Sequence, residues 1–134
     1  MVLQSLAGLP AFLAYFCLSA VAVVAFIVTY CFLTAHDEFK LITQNKPSAA
    51  IALGMSVLGF ALPLASAVAH ASNLVDCAIW AVVAFVIQIG AYWAARIPVP
   101  DLSKRIENGE VASGLWLGLA SVAAGLLSAA SMTW

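Results

Sequence analysis

Charge is scarce in this sequence. Lys, Arg, Asp and Glu make up 8% of its 134 residues against 65% that are hydrophobic, and the mean hydropathy is +1.08. A soluble domain carries roughly 25% charged residues to face water, so a soluble globule is excluded. Five Lys and Arg and a net charge of −1 supply no basic patch, which excludes nucleic acid as a partner. Cysteine is also sparse. Cys17, Cys31 and Cys77 are odd in number and match no metal or redox spacing, so they read as small packing residues. No Lys or Arg precedes the first apolar run in MVLQSLAGLP, and the run exceeds a signal-peptide core, so it reads as a retained span. No Ser–His–Asp set, Gly-rich phosphate loop, HExxH motif or pair of catalytic carboxylates can be assembled. The chain reads as non-enzymatic and without a cofactor.

What the sequence does contain is apolar length. Four runs, about 9–33, 48–69, 74–96 and 111–132, each reach the roughly 20 residues that cross about 30 Å of hydrocarbon as a helix. None has a charge near its middle, and all are too long and too uniformly apolar for barrel strands. The expected fold is an all-α integral membrane four-helix bundle, a single membrane domain over 1–134. Its histidines, His36 and His70, fall at opposite ends of the first two spans, so they cannot share an ion within one chain.

All the basic residues lie in or beside two connections. Lys40 and Lys46 follow span one; Arg96, Lys104 and Arg105 follow span three. Four spans put both connections on one side, and the positive-inside rule makes that side cytoplasmic, with both termini periplasmic. Tyr30, Phe32, Tyr92 and Trp93 suit the cytoplasmic interface, and Trp134 the outer one.

An offset of 64 residues aligns these connections. HDEFKLITQNKPSAAIALG overlays PDLSKRIENGEVASGLWLG, matching Asp37 with Asp101, Lys40 with Lys104, Ile42 with Ile106, Leu53 with Leu117 and Gly54 with Gly118. The pattern predicts two parallel helix–loop–helix repeats, about 9–69 and 73–132, related by an axis along the membrane normal. Each loop is expected to hold a short interfacial helix, capped by Asp37 in the first and Asp101 in the second, with Asn108–Gly109 as a stop and Pro47 opening span two. Asp37, Lys40, Asn45, Asp101, Lys104 and Asn108 are the candidate residues for loop interactions; a solvated connector is the plainer reading.

Small residues recur at helical spacing: Ala50, Gly54 and Gly59 in span two, and Gly114, Gly118, Ser121 and Gly125 in span four. They predict close helix packing, either between spans two and four or between protomers of a homo-oligomer. Asp76, three residues after Asn73, reads as part of a helix cap, with a proton or cation relay as the alternative. Gln88, deep in span three, reads as an interhelical hydrogen-bonding residue, with a pore lining as the alternative.

Small multidrug exporters need a glutamate in span one, and fluoride channels carry a glycine–arginine motif; neither is present. The residues Asp37–Ile42–Asn45–Ala49–Ala50–Gly54 and Asp101–Ile106–Gly109–Ser113–Gly114–Gly118 resemble the twice-occurring unit of the YjfL-like family of bacterial inner-membrane proteins, a domain of unknown function. The resemblance covers nearly the whole chain. It implies an inner-membrane protein with an assembly role and envelope-stress membrane partners, and it assigns no catalytic residue. Two functions follow as expectations: a membrane-embedded oligomeric scaffold in contact with the lipid bilayer, or a small channel or transporter whose path forms at an oligomer axis.

Overall fold

The computed structural model describes residues 2–34, 38–99 and 101–132, and its regular structure is helical throughout. The elements are α1 (Val2–Leu6), α2 (Leu9–Leu33), α3 (Glu38–Thr43), α4 (Pro47–His70), α5 (Leu74–Arg96), α6 (Leu102–Glu107) and α7 (Val111–Ser131). Four helical stretches are long and apolar enough to cross a membrane: Val2–Leu33, Pro47–His70, Leu74–Arg96 and Val111–Ser131. His36, Asp37 and Trp134 lie outside the described residues.

Local chemistry places the breaks. Gly8 precedes α2, and Pro10 sits in its first turn, where a missing N–H costs nothing. Pro47 opens α4 in the same way. Between α4 and α5 the chain reverses over three residues, and the Asn73 side chain accepts the first-turn N–H of Asp76.

The helices pack around one seam. Moving up α4, its partners on α7 also ascend. Ser48 lies against Gly114, Met55 against Gly118, Ser56 against Ser121, Gly59 against Ser121 and Gly125, and Ser66 against Ala129. The two helices are therefore parallel. They approach so closely that a Cβ on Gly114 would come within 2.5 Å of the Ser48 carbonyl oxygen. At Gly59 and Gly125 added Cβ atoms would strike the carbonyl oxygens of Ser121 and Gly59, respectively. Pro63 explains part of this contact. It lies inside α4, four residues after Gly59, and has no N–H to give the Gly59 carbonyl. That oxygen faces Gly125, where an added Cβ would strike it.

α5 lies beside both seam helices, and α2 rests on α4 and α5. Aromatic rings hold α2 in place. Phe26 stacks on Phe60 at 4.8 Å between centroids and meets Phe85 edge-on at 5.9 Å, and Tyr30 meets Tyr92 edge-on at 5.6 Å. Phe26 and Tyr30 are the buried residues of α2; most of its other large side chains face outward, as suits lipid contact.

The small residues of α4 and α7 do not share one environment. Gly59, Gly114, Gly118, Ser121 and Gly125 are buried at the seam, whereas Ala50 and Gly54 are exposed and Gly54 has nothing within 4 Å of an added Cβ. The reason is helical phase: the seam face of α4 carries Ser48, Ala52, Ser56, Gly59 and Pro63, and positions 50 and 54 fall on its flank. A strict two-fold relation would also put α2 beside α7 as α5 lies beside α4, yet α2 rests on α4 and α5.

Substitution at the seam should separate the two kinds of glycine. Gly125→Ala forces backbone apart and should cost about 1–3 kcal/mol, seen as a lower unfolding midpoint in detergent. Gly54→Ala should be neutral or stabilising by up to about 1 kcal/mol, because open space receives the methyl group and Ala favours helix.

Candidate functional site

Two neighbouring features collect the chemically distinct groups: the paired loops at the amino ends of α4 and α7, and the polar residues buried beneath them. The loop helices end alike. In the first, the N–H groups of Gln44, Asn45 and Lys46 donate to the carbonyls of Lys40, Ile42 and Leu41 at 3.1, 2.9 and 3.0 Å. In the second, Asn108, Gly109 and Glu110 donate to Lys104, Ile106 and Arg105 at 2.9, 3.0 and 3.0 Å. Each set forms a Schellman-type stop around one left-handed residue, Asn45 with φ 62° and Gly109 with φ 88°. Asn and Gly are the residues that accept that conformation most readily, so this part of the loops follows from their sequences.

The starts differ from expectation. Asp101 precedes α6 in a left-handed conformation, φ 57°, and its side chain makes no capping bond; its carbonyl accepts the Arg105 N–H at 2.9 Å. A left-handed N-cap turns the carboxylate away from the N–H groups that an extended N-cap would reach. The proposed cap at Asp37 lies outside the described residues.

The two loops touch. Ser48 Oγ, fully buried, donates to the Ile106 carbonyl at 2.7 Å, and Lys46 Nζ donates to the Glu107 carbonyl at 3.2 Å. Leu102 and Ile106 of α6 are buried beneath, while Lys104, Arg105, Glu107 and Asn108 are exposed, as are Lys40 and Asn45 of the first loop. Arg105 and Glu110 form a solvent-exposed pair at 3.4 Å, of small energetic weight.

Below the loops, polar groups line the helix seam. Ser56 and Ser121 share a hydrogen bond between hydroxyls at 3.3 Å. Gln88, 1% exposed, donates from Nε2 to the Ser121 carbonyl at 3.2 Å, tying α5 to α7. Its Oε1 has no hydrogen-bond partner among the described residues, nor has the hydroxyl of Tyr92, one turn further along α5. Gln88 thus lies inside the chain, enclosed between α5 and α7. Asp76 belongs to a reciprocal cap at the far end of the bundle. Its carboxylate accepts the Ser72 N–H at 3.1 Å, and its own N–H donates to Asn73 Oδ1 at 2.8 Å.

The structure therefore gathers the loops into one surface and leaves Gln88 and Asp76 apart from it and from each other. No group of three or more His, Cys, Asp or Glu among the described residues could hold a metal ion. Ser48, Ser56 and Pro63 were the residues that sequence reasoning passed over. A signal for Pro63 existed, since a proline inside a span four residues after a glycine frees the one carbonyl that a second helix can approach.

Replacing Gln88 by Met removes its bond to Ser121 together with its unpartnered oxygen. The two effects oppose one another, so the variant should unfold within about 1 kcal/mol of the parent, given that interhelical hydrogen bonds in bilayers average about 0.6 kcal/mol. Equilibrium unfolding in detergent micelles measures this, and outright failure to fold would contradict it.

The model of the family described as Domain of Unknown Function (DUF350) matches residues 4–132. The UPF0719 inner membrane protein YjfL of Escherichia coli strain K12 is 37% identical over 127 residues, covering 95% of this chain and 96% of that protein. Its counterpart in Escherichia coli O157:H7 matches to the same extent. No solved structure matches the chain. With its four membrane-spanning helices and a match that runs almost from end to end, the chain is a multi-pass membrane protein belonging to the DUF350 family.

Proposed function

We propose that the protein is a non-enzymatic scaffold of the bacterial inner membrane, acting as a homo-oligomer through its two charged loops on the cytoplasmic side. The observation that carries this reading is the docking of the loops onto each other. Ser48 and Lys46 bind the last carbonyls of α6, so a broad polar surface is held by the bundle instead of hanging from it. A surface fixed in this way loses little conformational entropy when a partner binds. Lys40, Asn45, Asp101, Lys104 and Asn108 are its proposed contacts, with Asp37 assigned to them by sequence.

The matched stops at Asn45 and Gly109, 64 residues apart, support a duplicated unit, and the parallel course of α4 and α7 suits one whose halves enter the membrane from the same side. The gathering of the basic residues Lys40, Lys46, Arg96, Lys104 and Arg105 toward one end supports a cytoplasmic position for that end. Ala50 and Gly54, small, exposed and one turn apart, support a helix contact with a second copy. The channel reading draws less support. The interior polar residues are enclosed at the seam, and the backbone contacts at Gly59 and Gly125 leave no room there for a solute path.

Native mass spectrometry of the protein in nanodiscs tests the reading together with flux assays in proteoliposomes. The expected result is an oligomer that Ala50→Leu with Gly54→Leu reduces to folded monomer, and no ion- or solute-selective flux. Reproducible selective flux, or a parent protein that is wholly monomeric, would overturn it.

A further inference from the structure

Arg96 closes α5 on the side of the molecule that carries the loops, and no acidic residue pairs with it among the described residues. Its guanidinium carbon lies 4.9 Å from the centre of the Trp93 ring and 5.8 Å from that of Tyr92. The two rings meet edge-on, 5.5 Å between centroids, so the cation sits in an aromatic corner. Arginine at a helix end commonly serves the last carbonyls. Here two of those carbonyls have other donors: the Ile97 N–H reaches Ala94 O at 3.2 Å, and Trp116 Nε1 reaches Ala95 O at 2.9 Å. Arg105 makes the contrast, since it pairs with Glu110. The Arg96 guanidinium is thus held by ring faces while its N–H edges make no hydrogen bond among the described residues.

We propose that Arg96, seated on Trp93 and Tyr92, binds the phosphodiester of an anionic phospholipid in the leaflet on the loop side. Depth and chemistry both select this ligand. Trp93 is 47% exposed on a membrane-spanning helix, and tryptophans at span ends lie at the level of the headgroups. The anion abundant at that depth is lipid phosphate. A guanidinium presents a planar fork of donors that fits two phosphate oxygens at once, and contact of the cation with an indole ring fixes the plane of the fork. A net anionic headgroup is preferred to a zwitterionic one because its charge is not offset by an ammonium of its own. If Arg96 only complemented the dipole at the end of α5, lysine would serve equally and no headgroup would be preferred.

The test is native mass spectrometry of the full-length protein released from nanodiscs of equal phosphatidylglycerol and phosphatidylethanolamine, counting retained lipids. The parent should retain phosphatidylglycerol preferentially. Arg96→Gln should lower that retention by about tenfold, in keeping with one charge-assisted bidentate contact. Arg96→Lys, which keeps the charge and serves if the Gln variant fails to fold, should lie between the two, and Arg105→Gln, at an exposed basic residue of the same side, should match the parent. Millimolar inorganic phosphate should leave lipid retention unchanged. Equal retention by parent and Arg96→Gln, full retention by Arg96→Lys, an equal loss in Arg105→Gln, or displacement by inorganic phosphate would each overturn the assignment.

Discussion

The structure depends on one backbone contact: α4 and α7 meet at Gly59 and Gly125 with no side chain between them. In a bilayer no hydrophobic effect draws helices together, so packing and polar contacts must do it. The seam uses both. Glycine lets the backbones meet, Pro63 frees the Gly59 carbonyl to face α7, and the Ser56–Ser121 hydrogen bond closes the same stretch. Gln88 adds α5 by donating to the Ser121 carbonyl. Three helices are therefore joined within about one turn of one another, and the aromatic group of Phe26, Phe60 and Phe85 attaches α2 to that core.

The loop surface is a consequence of the seam. Because α4 and α7 run parallel and close, their amino ends emerge side by side, and Ser48 can reach the Ile106 carbonyl. Splayed or antiparallel helices would leave α3 and α6 apart. The stops at Asn45 and Gly109 then direct each loop helix into its span. Thus the residues that set the helix separation, deep in the membrane, also set the geometry of the polar surface on which the scaffold reading rests. The aromatic corner that holds Arg96 lies at the end of α5 on this same side and adds a lipid contact to that surface.

Much of this was legible in the sequence, and what was not has identifiable causes. The four spans were plain because length and apolarity alone decide them, and α4, α5 and α7 begin and end within a residue or so of the predicted runs. The stop at Asn108–Gly109 was readable because turn chemistry is local. Its counterpart at Asn45 was not singled out as a stop, since asparagine serves many conformations. The burial of Gly59 but not Gly54 could not be read, because both satisfy small-residue spacing and only the rotation of α4 against α7 separates them. The side-chain cap expected of Asp101 failed because the chain enters α6 through a left-handed residue, a conformation that the sequence pattern does not announce. The position of α2 was hidden for a similar reason: its apolar residues surround it, and the two aromatic rings that anchor it are not distinguished from those that face lipid.

The parallel seam within one chain is the central claim, and paired cysteines test it directly. In a variant whose Cys17, Cys31 and Cys77 are replaced by alanine, Ser56→Cys and Ser121→Cys place two sulfurs where hydroxyl oxygens stand 3.3 Å apart. Oxidation in native membranes followed by alkylation and intact mass spectrometry should yield a monomer with both thiols protected. Thiols that remain open to alkylation, or protection found only in covalent dimers, would contradict the account.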